Sequence, residues 1–310
     1  MCPNSTLRQM QWVLPSVDVT YEKFIKRHKE KLEIIHEDVG EGASIHWIGP
    51  KSSNLVMLFF HGGGYVMPAV DAHFDMVDYW RTKMRKSYDI DFSIAFVQYS
   101  LVNFAPWPQQ LRQVVAAFTH LINQGVHPSN IILAGDSVGG HQVAFLLGHI
   151  LHPHPGANPV PKLSSPLAGA AMLSPWLTFS DAAPSFSANA ETDLMPTPAL
   201  LAWGDLLKES RGESNDGNWF EPAEAPAEWW IGLDKVVSNI LITTATGECM
   251  LDDILSAGEK MRKGMGSEDK VEIFVQDEAC HNEILAEFAT YDPTGPSTDT
   301  VTKWIADVFS

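Results

Sequence analysis

Residues 130–151 read NIILAGDSVGGHQVAFLLGHIL, and the order of residue types in that stretch decides the fold. Ile131, Ile132, Leu133 and Ala134 make a short apolar run of the kind buried on both faces of a parallel sheet. From Val138 to Leu151 the chain has the length and period of a helix. Between them Gly135 and Gly139 bracket Ser137, giving G-x-S-x-G at a strand-to-helix turn. Such a turn is tight and strained, and side chains larger than glycine beside the serine would collide. It also sets the first N–H groups of the helix beside the serine Oγ, where they and the helix dipole favour a developing negative charge.

The same alternation extends outward. Leu55–Phe60, Phe92–Tyr99, Leu167–Leu173, Asn239–Ala245 and Lys270–Gln276 are further apolar runs of strand length. Asp71–Lys86, Pro108–Asn123 and Leu251–Lys263 have helical periodicity, and Thr298–Val308 reads as a terminal helix. Strands alternating with helices predict βαβ units around a mostly parallel central sheet flanked by helices, an α/β fold. KLEIIHEDV and ASIHWIG, on either side of Gly40 to Gly42, predict an antiparallel hairpin at the sheet edge. Pro175 to Trp230 breaks the alternation: it is rich in Pro, Ala and Trp and has no strand. The expectation is one domain over 1–310 with a helical cap from about 1–30 and 175–230, the first part amphipathic around Tyr21, Phe24 and Ile25. Trp107, Trp176, Trp203, Trp229 and Trp230 lie in or near this cap and the loops at its mouth.

Composition narrows the function. With 310 residues, 45% hydrophobic and 19% charged, the chain is long enough for a large core and is not a disordered one. The formal charge of -17 argues against nucleic acid and anionic membranes as partners, since both recruit clustered Lys and Arg. No apolar stretch has the length of a membrane span, so stable membrane insertion is not expected. The start of the chain lacks the basic and apolar regions of a signal peptide, which predicts a cytoplasmic protein whose Asn4-Ser5-Thr6 sequon stays unglycosylated. Three cysteines, Cys2, Cys249 and Cys280, fit free thiols better than a disulfide framework. His149, His152 and His154 sit in a Pro-rich loop without a completing carboxylate or cysteine, so no metal is assigned there.

His61-Gly62-Gly63-Gly64-Tyr65 follows the first parallel strand directly. Consecutive glycines let backbone N–H groups turn toward a substrate oxygen without obstruction, as an oxyanion hole requires. A base is expected late in the chain, after the acid. His281 is the histidine that follows a late strand through a short loop, Asp277 to Cys280. For the acid, Glu248, Asp252 and Asp253 compete beyond the strand that ends at Ala245. Glu248 is chosen because it sits in the loop immediately past the strand, whereas Asp252 and Asp253 look like the first turn of the next helix.

Together HGGGY, GDSVGG and the late histidine resemble the hormone-sensitive-lipase branch of the α/β-hydrolases, from about Leu55 to Phe288. VQYSLVNFAPWPQQLRQ and LSPWLTFS are similar to further segments of that branch, and PAEWWIGLDKVVSNILITTATGECMLDDI resembles fungal steryl-acetyl-hydrolase-like esterases. The resemblance implies an α/β-hydrolase fold with Ser137, His281 and Glu248 as catalytic residues. Glu248 stands where the family's D-P-L-x-D-E motif opens with aspartate, and this is a departure. It further implies backbone N–H groups of Gly63, Gly64 and Val138 as oxyanion donors, His61 as a support for their loop, no cofactor, and a homodimer.

The function expected is a serine carboxylesterase acting on a hydrophobic small-molecule ester through an acyl-enzyme, in secondary metabolism. The alternatives are an acyltransferase or cyclase built on the same residues, and a non-catalytic small-molecule binding protein.

Overall fold

A computed structural model describes residues 9, 11, 13–51, 54–290 and 295–310. Cys2, the sequon at Asn4 and the first eight residues of the expected cap lie outside the described residues. Eight strands form one sheet: β1 (His36–Gly40), β2 (Ala43–Ile48), β3 (Leu55–Phe60), β4 (Phe92–Gln98), β5 (Ile131–Asp136), β6 (Gly169–Leu173), β7 (Ile240–Ala245) and β8 (Val271–Gln276). Their order is β1-β2-β4-β3-β5-β6-β7-β8. β1 pairs antiparallel with β2, and β2 antiparallel with β4, while every later pairing is parallel.

Ten helices accompany the sheet among the described residues: α1 (Val17–Arg27), α2 (Asp71–Ser87), α3 (Gln109–Asn123), α4 (Val138–Leu151), α5 (Pro184–Ala188), α6 (Thr197–Arg211), α7 (Gly217–Phe220), α8 (Leu251–Met265), α9 (Glu283–Ala289) and α10 (Pro296–Phe309). The alternation of side chains along each strand divides the core into two layers. Leu58, Phe60 and Leu133 pack with Leu111 and Val114 of α3, Phe145 of α4 and Ile254 and Met261 of α8. Met57, Phe59 and Ile132 pack on the opposite face with Phe24 of α1, Phe74 and Trp80 of α2 and Ile305 of α10. Leu133 is fully buried, and truncating such a side chain to alanine costs about 2–5 kcal/mol. None of the helices of the described residues is long and apolar enough to cross a membrane.

The expected strands and long helices are present within about two residues of their predicted ends. Two details differ. The hairpin's first strand begins at His36 and not at Lys31, because the Ile35 N–H is taken by the Tyr21 hydroxyl at 3.0 Å. Helix α9, immediately after His281, was not predicted; seven residues are too few to show a helical period.

The long excursion between β6 and β7 contains α5, α6 and α7 and has two destinations. Its first half, through α6, lies beside the C-terminal ends of the strands, where Leu194, Met195, Leu200 and Trp203 line a cavity. Its second half returns along the flank. Phe220 of α7 receives a hydrogen bond on its carbonyl from His141 Nε2 of α4 at 2.8 Å, and Trp230 packs against Gly264 of α8. Near the N-terminus, Leu14 reaches the cavity, whereas Tyr21, Phe24 and Ile25 of α1 are buried against the sheet and α2.

Candidate active site

Strand β5 delivers Ser137 to the C-terminal edge of the sheet, the end at which open α/β sheets place their ligands. Ser137 caps α4 with φ 53° and ψ -117°, a left-sided conformation that costs a non-glycine residue about 1–3 kcal/mol. The cost is met by a fixed frame: the Ser137 N–H donates to Leu173 O at 2.8 Å, and its carbonyl accepts from Trp176 N at 3.1 Å. Gly139 has to be glycine, since a Cβ there would stand 1.9 Å from Phe60 O.

Two other strand ends converge on Ser137. Its Oγ lies 3.0 Å from His281 Nε2, in the loop after β8. His281 Nδ1 donates to Glu248 Oε1 at 2.5 Å, in the loop after β7. All three are buried. Glu248 Oε2 accepts from Thr244 Oγ1 at 2.7 Å and Ala245 N at 3.2 Å, which fixes the carboxylate plane. The structure therefore brings Glu248, and not Asp252, to the imidazole. Asp252 Oδ2 instead accepts from Ser185 N at 2.8 Å, holding α5 against the start of α8. Burial of the His281 ring disfavours its cation, but the charge and hydrogen bond of Glu248, with Asp193 and Asp136 behind them, outweigh that and raise its pKa above the usual 6.5. An imidazole so placed has its Nε2 within hydrogen-bond reach of the Ser137 hydroxyl. Burial, with Asp193 beside Cys249 and Glu283 beside Cys280, pushes both thiol pKa values up to about 12.

Gly63 and Gly64 follow β3 and line the same cavity as Ser137 and His281. Their φ values are 112° and 62°, and a Cβ on Gly64 would stand 2.5 Å from the Trp203 ring. Val138 is buried and carries the first N–H of α4. Among the described residues the N–H groups of Gly63, Gly64 and Val138 donate to no protein acceptor. His61 is buried below the loop, stacked on Tyr99 with ring centroids 4.4 Å apart, and its Nδ1 donates to Gly62 O at 2.7 Å.

Four residues not singled out in the sequence complete the site. Asp136, the x before the serine, is fully buried and accepts from Gly62 N at 2.9 Å and Asn282 Nδ2 at 2.7 Å, with His73 Nε2 at 3.3 Å. It ties the glycine loop, the elbow and the histidine loop together. Burial opposes its charge, yet His73, Asn282 and His61 hold its pKa below the carboxylate norm. Asp193, from the excursion after β6, accepts the N–H of Cys249 and the N–H of His281, each at 2.8 Å. It thus spans the acid loop and the base loop. The G-D-S triplet was a visible signal for Asp136; nothing local marks Asp193, Asn282 or His73.

The cavity above Ser137 has a volume of about 360 Å³ and walls made chiefly by Met67, Pro68, Trp176, Leu194, Leu200 and Trp203. Only Trp176 and Trp203 of the five tryptophans expected near its mouth line it. Trp107 is instead buried with its Nε1 donating to Asp216 Oδ2 at 2.6 Å, Trp229 lies tilted against His152, and Trp230 is core. Large aromatics in this excursion serve burial as much as the cavity.

Comparison with known proteins bears on the fold and the family. The chain is similar to Lipase 2 of a Moraxella species, 31% identical over 106 residues, 33% of this chain and 23% of that lipase. It is similar to the hormone-sensitive lipase of Homo sapiens, 26% identical over 130 residues, 40% of this chain and 12% of that protein. The chain thus spans less than a quarter of the length of either. Among solved structures, a hormone-sensitive lipase from a metagenome library superposes with a TM-score of 0.75 at 21% identity, covering 100% of this chain and 94% of that one. A family model described as alpha/beta hydrolase fold matches residues 57–285. The chain therefore belongs to the alpha/beta hydrolase fold family, and the proteins it is similar to include hormone-sensitive lipases.

Proposed function

We propose that the protein is a serine esterase that hydrolyses small hydrophobic esters, with Ser137, His281 and Glu248 as its catalytic residues. The observation that carries the reading is the continuous hydrogen-bonded chain from Ser137 Oγ through His281 to Glu248, opening into an apolar cavity. His281 Nε2 takes the serine proton as Oγ attacks the ester carbonyl carbon. The carbonyl oxygen becomes an oxyanion held by the N–H groups of Gly63, Gly64 and Val138. Collapse of the tetrahedral adduct expels the alcohol, which leaves with the proton from His281. Water, deprotonated by the same imidazole, then attacks the acyl-serine and releases the carboxylic acid. Glu248 keeps Nδ1 protonated and stabilises the imidazolium.

Substrate class follows from the cavity. At about 360 Å³ it lies at the small end of ligand pockets, and its apolar walls favour short to medium acyl or alcohol groups over charged ones. The cap in this reading comprises about 1–30 and 175–230, with Leu14 and the stretch from Leu194 to Trp203 as the parts that touch substrate. The relatives named lipase support ester hydrolysis as the reaction class. Turnover of a chromogenic ester series from acetate to octanoate, with Ser137→Ala and a serine-directed phosphonate as controls, tests the reading. The expected result is loss of turnover in Ser137→Ala, with the phosphonate attached to Ser137 alone. Retained activity, or labelling of another residue, overturns it.

A further inference from the structure

Away from Ser137, the polar groups at the edge of the sheet form a second constellation. His36 of β1 and His46 of β2 are direct cross-strand partners, and their Nδ1 atoms face each other at 2.7 Å. Asp18, in the first turn of α1, brings Oδ1 to 4.0 Å from His36 Nδ1 and 3.6 Å from His46 Nε2. One ligand atom from each residue lies within 4.8 Å of the other two. None of the three is among the residues lining the Ser137 cavity.

We propose that Asp18, His36 and His46 bind one divalent metal ion of borderline softness, zinc(II) foremost, and that the ion fastens α1 to the β1–β2 hairpin. Two imidazoles and one carboxylate are a donor set suited to zinc, with solvent as the fourth ligand. A tetrahedral zinc with bonds near 2 Å separates its ligands by about 3.3 Å. The observed separations of 2.7 Å and 4.0 Å bracket that distance, and His36 and Asp18 are partly exposed, so modest rotation of their side chains reaches it. The same exposure gives the ion a route from solvent.

The surroundings distinguish this cluster from three polar residues that merely meet. Gln98 of β4 accepts from His46 Nε2–H at 2.7 Å, which leaves the His46 Nδ1 lone pair directed at His36. The other end of the same amide donates to Asp18 Oδ2 at 3.1 Å, leaving Oδ1 free. One glutamine thus orients two of the three ligands, the outer-sphere arrangement typical of metal-ligating histidines and carboxylates. Tyr21 stacks on the His46 ring at 4.9 Å, fixing its plane. The chain's charge of -17 also favours accepting a dication. No local sequence pattern announces the site, because its ligands come from a helix and two strands.

The test is calorimetric titration of tag-free, chelator-stripped protein with zinc chloride, in parallel with thermal unfolding. Wild type is expected to take up one equivalent and to unfold at higher temperature with zinc present. His36→Ala, a change at a partly exposed side chain, abolishes both effects. Gln98→Leu keeps all three ligands yet weakens binding about 10–100-fold. Asp18→Asn weakens binding as well, and provides a second variant should His36→Ala fold poorly. Zinc uptake that His36→Ala leaves unaltered places the ion elsewhere and overturns the proposal. So does uptake lost in His36→Ala but indifferent to both Asp18→Asn and Gln98→Leu, and so does the absence of binding in wild type. Neither readout uses esterase activity, so the outcome is independent of the hydrolase reading.

Discussion

Asp193 offers the sharpest test of how the site is held together. Its two carboxylate oxygens accept the backbone N–H of Cys249 and of His281, each at 2.8 Å. In Asp193→Asn, one of those oxygens becomes an NH2 facing an N–H, so one bond is lost and the negative charge disappears. A charge-assisted bond contributes about 1.5–3 kcal/mol; partial exposure of Asp193 lowers this to about 1–2 kcal/mol. If that loss appears as poorer alignment of the base, kcat falls about 5–30-fold, at about 1.4 kcal/mol per decade. The charge has a separate signature. Asp193 is among the groups that raise the His281 pKa, after Glu248 and against the opposing effect of burial. The base works unprotonated, so the rate climbs as pH rises through its pKa. Lowering that pKa moves the acid limb of the profile to lower pH, and the slower variant keeps proportionally more of its activity in acid. The assay is kcat and kcat/KM against pH on a chromogenic ester, with the thermal midpoint as a check on folding. An unchanged kcat refutes the alignment argument, and an acid limb that does not move refutes the electrostatic one.

Other outcomes follow from neighbouring contacts. Glu248→Gln, which permits the wrong tautomer of His281, should lower kcat by about 10³–10⁴-fold, while Asp252→Asn leaves it near wild type. Trp203→Leu opens the cavity wall and should shift the chain-length optimum in kcat/KM to longer esters, each newly accommodated methylene contributing about 0.8 kcal/mol or fourfold. Asp216 is a structural counterpart. Burial opposes its charge, but hydrogen bonds from Trp107, Arg211 and His154 bring its pKa down to about 2. A carboxyl held lower in the folded than in the unfolded chain stabilises fully above about pH 4, and that stability is lost as pH falls through the folded value. Resistance to urea should therefore fall in wild type between pH 4 and 2. Asp216→Asn should lose about 2–4 kcal/mol at neutral pH and show a flatter acid dependence.

Much of this arrangement was legible along the chain, and the reason is locality. Gly135 to Gly140 between an apolar strand and a helix defines a turn whose sterics permit few other residues, so Ser137 could be placed from six letters. His61 to Gly64 was readable for the same reason. His281 and Glu248 were legible more weakly, from their positions one loop beyond successive parallel strands: a parallel sheet carries all such loops to one edge. Helix α9 was hidden by its shortness.

What the linear order could not decide was everything that depends on segments meeting. Glu248 and Asp252 are four residues apart, and only the turn after β7, pinned by Thr244 and Ala245, sends one to the imidazole and the other to Ser185. Asp193 lies 88 residues from His281 and reaches it because the excursion after β6 folds back over the loops that follow β7 and β8. The second half of that excursion meets α4 through the His141–Phe220 hydrogen bond and α8 through Trp230 against Gly264, contacts that no adjacent residues announce. Asp18, His36 and His46 meet only where a helix crosses a hairpin. Steric demands within one turn are written in adjacent residues. Cavities, clamps and ligand clusters arise from long-range packing, and only the folded chain specifies them.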